Sequence, residues 1–199
     1  MNARRLALAV AFCFLIATQM FAASNIVISQ VYGGGGNSGA TLKNDFIEIF
    51  NRGNTAQNLA GWSVQYGSSG GTTWTPTNLS GTLQPGQYYL IQESAGAGGT
   101  VSLPTPDATG SIAMSASAGK VALVSSTTAL TGAGPTGGTV VDMVGFGGAN
   151  CSEGTPTATL TNTTAAIRNS AGCTDTDSNA GDFSIAAPSP RNTATALHT

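Results

Sequence analysis

A chain of 199 residues with 27 glycines, only 8% charged side chains and few long polar helix formers disfavours helices and favours short strands joined by turns. Two of its seven basic residues, Arg4 and Arg5, sit at the N-terminus, so beyond residue 23 five cations face nine acids and the formal charge is 5 − 9 = −4. That balance is a poor footing for phosphate-backbone binding, which relies on clustered cations.

Arg4 and Arg5 precede an apolar run from Leu6 to Ile16, and Ala22 and Ala23 offer a cleavage point, although Met20 or Phe21 stands where a small residue is usual. Residues 1–23 therefore read as a signal peptide. The run is too short to span a bilayer, and no later stretch is long and apolar enough to anchor the product. The expectation is a protein secreted to the extracellular space or periplasm, with one core in the roughly 175 remaining residues.

Strand-length apolar segments then recur between glycine-rich turns: 25–32, 45–51, 62–66, 87–92, 120–124 and 140–146. Short pieces at 72–74, 165–168 and 182–185 bring the total to eight or nine strands. In 45–51, Ile47 and Ile49 share one face while Phe46, Glu48 and Phe50 share the other, so that sheet is expected to be covered on both sides. The connection 94–119 is unusually long and is expected to hide a short strand around Ser111 to Met114.

Two familiar strings lack their context. Gly34 to Gly39 matches a dinucleotide-binding fingerprint but is followed by a strand instead of a helix, which leaves a flexible loop. Gly67 to Gly71 matches a nucleophile elbow, yet the sole histidine, His198, lies in what reads as a frayed tail. No catalytic residue is assigned. Cys151 and Cys173, the two cysteines beyond the signal, are expected to form a disulfide outside the cytoplasm. Asp175, Asp177 and Asn179, with Asp182 close behind, have the alternating spacing of oxygen ligands and make calcium the one cofactor to weigh, against a reading as local turn acceptors. Trp74, beside a Gly-Ser loop and before Pro76, is the candidate ligand-stacking residue.

Read in order, the pieces IVISQVYGGGGN, NDFIEIFNRGN, NLAGWSV, LQPGQYYLI, GKVALV, VVDMVGFGG, AAIRN and a closing NAGDF with PSPRN resemble the lamin-tail domain, over Ile26 to Asn192. The GGGGN string, a cysteine after GFGGAN, and GCTDTDSN resemble its bacterial extracellular group. The resemblance implies an all-β, immunoglobulin-like sandwich at 24–192 followed by a tail at 193–199, and a buried core tryptophan at Trp62. It also implies an accessory binding, adhesion or targeting role without catalysis. A cell-envelope component, a glycan and extracellular DNA are the partner classes. The rival readings are a metal-dependent nuclease or phosphoesterase, or its accessory subunit, and a purely structural surface protein.

Overall fold

The computed structural model describes residues 24–198; residues 1–23, the segment read from sequence as a signal peptide, and with them Cys13, lie outside the described residues. Twelve strands follow one another: β1 (Ile26–Tyr32), β2 (Asn44–Asn51), β3 (Gln57–Asn58), β4 (Ser63–Ser68), β5 (Thr75–Asn78), β6 (Thr82–Leu83), β7 (Tyr88–Ala95), β8 (Ala108–Thr109), β9 (Gly119–Val124), β10 (Val140–Phe146), β11 (Ala165–Arg168) and β12 (Phe183–Ala186). A single helical turn, α1 (Asn179–Asp182), precedes β12. One sheet runs β12-β11-β1-β2-β7-β8 and the other β10-β9-β4-β5, with β3-β6 as a small ribbon. Every pairing between named strands is antiparallel except β7 with β8.

The alternation in β2 decides the layering. Ile47 and Ile49 point into the core between the sheets, where they meet Ile28, Ile91, Val64, Leu123 and Val144. The opposite face of the large sheet is also buried, with Phe46 against Tyr32 and Leu90, and Phe50 against Val27 and Tyr88. Part of its cover is the C-terminal segment. Glu48, fully buried on that face, accepts hydrogen bonds from the Arg191 backbone (2.7 Å) and guanidinium (2.7 Å), and the guanidinium lies 3.6 Å above the Tyr88 ring. Further on, Thr193 O accepts from the Gln87 amide and the His198 N–H donates to Gly86 O. The tail expected to fray is docked.

Two other expectations are corrected by close packing. The Gly33 to Gly36 stretch is buried, and a Cβ on Gly35 would stand 1.9 Å from the Asn44 carbonyl carbon. Glycine there serves backbone-to-backbone approach instead of flexibility. The strand expected at 111–114 is displaced to β8, beside Ile91 and Gln92. Ile112 and Met114 are instead drawn into the core as irregular chain.

The sheets are joined by one ion pair. Arg168 of β11, 1% exposed, places its NH2 3.0 and 2.8 Å from the two carboxylate oxygens of Asp142 on β10, in the other sheet. Its Nε donates to Ile28 O, Asp142 Oδ2 accepts the Ile28 N–H, and the guanidinium sits 4.6 Å over the Phe183 ring. Removing one partner of such a buried pair strands the other charge, at a cost of about 3–5 kcal/mol. Arg168→Met and Asp142→Asn should each lower unfolding stability by roughly 3 kcal/mol or more in chemical denaturation.

Candidate functional site

The buried ionic cluster that grows from Arg168 gathers more acid than base. Ligating oxygens of Asp142, Glu153 and Asp175 lie within 4.8 Å of one another, the only such acidic group among the described residues. Arg168 binds Asp142 and reaches Asp175 at 3.1 Å, while Arg52 reaches the other Asp175 oxygen at 3.3 Å. Burial alone would lower the Arg168 pKa, but Asp142, Asp175 and Glu153 together hold it above its usual value. Burial, and then the charge of Asp142, push Glu153 up to about 9. The third acid of the cluster is therefore neutral at pH 7, and a guanidinium occupies the place a cation would take.

The four residues spaced like a calcium loop do not converge. Asp175 is held by the two arginines. Asp182 folds back as a turn acceptor, taking the Thr176 N–H at 2.8 Å and the Thr176 hydroxyl at 2.7 Å. Asp177 stands at φ +56°. Asn179 is fully buried and works as a single strand-like amide, its Oδ1 accepting from Gly145 N and its Nδ2 donating to Met143 O along the free edge of β10. These donor sets are spent on the fold and do not fit an ion. Sequence spacing missed Asp142 and Glu153, whose placement depends on strand register and on a loop returning 10 residues later to accept the Met143 N–H.

The disulfide is likewise corrected: both thiols are free. Cys151 packs with Trp74 and Met143 on the outer face of the smaller sheet. Cys173 lies in a pocket with Phe50, Arg52 and Gly86, on the outer face of the larger one. Face-packed sheets lie about 10 Å apart, beyond the Cα separation of about 7 Å that a disulfide can span.

Neither tryptophan stands where it was expected. Trp62 is only partly buried, at the margin of the core. Trp74 is 5% exposed, donates its indole N–H to Gly132 O, and lies under the Lys120 ammonium, 5.1 Å from the ring centroid. It is no open stacking platform.

What surrounds Trp74 is more informative. Lys120, on the outer face of β9, is fully buried, and its ammonium donates to Gly71 O (2.9 Å), Ala133 O (2.6 Å) and Asn150 Oδ1 (2.7 Å). Three donors meet three acceptors. Each acceptor belongs to a different loop: 69–72, 127–139 and 147–152. Backbone bonds from Gly132 N to Thr72 O and from Asn150 N to Ser69 O tie the same loops together. None of the three contains a charged residue. The result is a preorganised, uncharged face of serine, threonine and glycine.

The proton on Glu153 has a thermodynamic consequence. The folded state keeps it between the ordinary carboxyl value and about 9, where the unfolded chain has lost it. This contribution to stability is complete below about pH 4 and is lost as pH rises through about 9. Glu153→Gln should flatten the fall in unfolding free energy between pH 7 and 9, which in the parent reaches of order 1 kcal/mol per pH unit, measured by urea titration at each pH.

No curated protein matches the chain. Among solved structures, a DUF4876 family protein from Bacteroides thetaiotaomicron superposes with a TM-score of 0.54 at 12% identity, over 88% of this chain and 75% of that one. That likeness concerns the fold. The Lamin Tail Domain profile matches residues 19–148, which hold β1 to β10, both sheets' central strands, and Lys120 with two of its three acceptors, Gly71 and Ala133. The chain belongs to the lamin tail domain family.

Proposed function

We propose that this protein is an exported, non-catalytic lamin-tail domain whose Lys120-tied loops form the binding face, and that its partner is an uncharged, hydroxyl-rich glycan of the cell envelope. One observation carries the reading: three loops without a charged residue are fixed by one buried ammonium. Loops held on a rigid scaffold bind with little ordering cost. Hydroxyls and backbone amides suit sugar hydroxyls, whereas a phosphate backbone calls for clustered cations. The ionisable groups support the non-catalytic half. Asp142, Glu153, Asp175 and Asp182 are all engaged within the fold, and an acid or base must reach the atoms it acts on.

The test is a binding series with the chain from residue 24 onward against neutral polysaccharides, peptidoglycan and duplex DNA, at low and high salt, beside a Gly70→Glu, Thr136→Glu double variant. A Cβ on Gly70 meets open space and Thr136 is exposed, so the variant should fold normally. Saturable, salt-insensitive binding to a neutral glycan that weakens at least tenfold in the variant is expected. Salt-sensitive binding to DNA alone, or no saturable binding, would overturn the proposal. Metal-dependent phosphoester turnover that disappears in Glu153→Gln would establish the hydrolase instead.

A further inference from the structure

The chain between β8 and β9 runs without regular structure, and it is held by three side chains from three strands. Glu93 Oε2, on β7, accepts the Ile112 N–H at 2.9 Å. Asp45 Oδ2, on β2, accepts the Met114 N–H at 2.9 Å. The Tyr66 hydroxyl oxygen, on β4, accepts the Ser115 N–H at 3.1 Å. Asp45 Oδ1 also accepts from Gly35, so the same carboxyl fixes the buried glycine turn. Ile112 and Met114 fill the end of the core, at 4% and 7% exposure. Lifting the segment would open the sandwich there.

Asp45 and Glu93 point inward, on the same faces as Ile47 and Ile91, from strands paired with each other. They are 4% and 1% exposed, and Glu93 Oε1 has no hydrogen-bond partner. Among the described residues no salt bridge reaches either carboxyl. The groups facing them are Tyr66 from β4, Thr77 from β5 and each other, and Tyr32 of β1, on the opposite face of the sheet, is the further titratable group within electrostatic reach of Asp45; none of them is cationic. Lys43, two residues before Asp45, is exposed. Ionisation would thus place two like charges in the core end with no counter-ion.

We propose that Asp45 and Glu93 form a proton-dependent latch: protonated, they keep segment 111–115 docked on the sandwich end, and their ionisation releases it.

Burial pushes Asp45 to about 7; hydrogen bonds from Met114 and Gly35 offset this in part, and the charge of Glu93 adds to it. Burial likewise brings Glu93 to about 7 against the hydrogen bonds of Thr77 and Ile112. Both protons are held in the docked state and lost from an open, hydrated one at ordinary carboxyl values. Docking is strongest below about pH 4 and weakens as pH rises through about 7, each proton contributing up to tenfold per pH unit in the opening equilibrium.

Native-state hydrogen exchange of residues 111–115 between pH 5 and 8, corrected for the intrinsic rate, tests the latch in the parent, Glu93→Gln, Asp45→Asn and Glu153→Gln. The opening constant at Ile112 and Met114 should rise at least tenfold in the parent and in Glu153→Gln, and clearly less in Glu93→Gln, while core amides of β2 and β9 stay protected. A pH-independent opening constant, a Glu93→Gln profile matching the parent, or an equal rise across β2 and β9 would overturn it. If Asp45→Asn does not fold, Glu93→Gln decides alone.

Discussion

An arginine with no access to water sits between two sheets whose shared core is largely apolar, and the geometry of the sandwich follows from how that charge is met. Asp142 answers Arg168 across the layers, and the same carboxylate takes the Ile28 N–H where β1 shifts register. A bulge frees backbone groups from the ladder. Here they are taken up by the ion pair itself, with Arg168 Nε on Ile28 O. One interaction thus fixes the spacing of β10 against β11 and satisfies an irregular strand. Asp175, Glu153 and Asp182 follow as the surroundings that a fully buried guanidinium collects.

Scarcity of charge makes this economy general. The described chain has five basic residues, and four hold separate parts of the fold: Arg168 joins the sheets, Arg52 binds Asp175, Arg191 straps the C-terminal segment to Glu48, and Lys120 gathers three loops. Arg168 and Arg191 are met by carboxylates, whereas Lys120 meets only neutral oxygens and an aromatic face. Burial lowers its pKa accordingly. A carboxylate in that cage would bind the ammonium more strongly but would give the loop face a charge. Neutral acceptors keep the face polar and uncharged, the property on which glycan recognition would depend.

The sequence was most legible where a two-residue period met a buried face. Ile47 and Ile49 are buried as their alternation implies, and the six longest strands, β1, β2, β4, β7, β9 and β10, fall where apolar segments were read. It was least legible where long-range placement decides. Aspartates two apart in sequence look like ligands, yet Asp175 and Asp182 turn toward partners set by the tertiary fold. Cys151 and Cys173 looked like a pair because number and compartment were all that could be counted, while their separation is a matter of sheet order. Trp74 looked open because its neighbours are small. Those same small residues let it sink: a Cβ on Gly67 would already touch its ring at 3.3 Å.

The sheet edges show how the remaining polar chemistry is used. β5, an edge of the smaller sheet, contains Pro76, which offers no N–H to a new strand. At the other edge, β10 has its outward groups covered one by one: Met143 N by Glu153, Met143 O and Gly145 N by the Asn179 amide, and Gly145 O by Thr157 N. A side-chain amide stands in for a peptide unit, and the turn α1 that carries it is placed by Asp182 and by the backbone bond from Asn179 N to Glu153 O. An uncovered edge is a template for another chain. Because both edges of the smaller sheet are guarded against strand addition, the proposed binding reading falls on its outer face, where the loops tied by Lys120 stand.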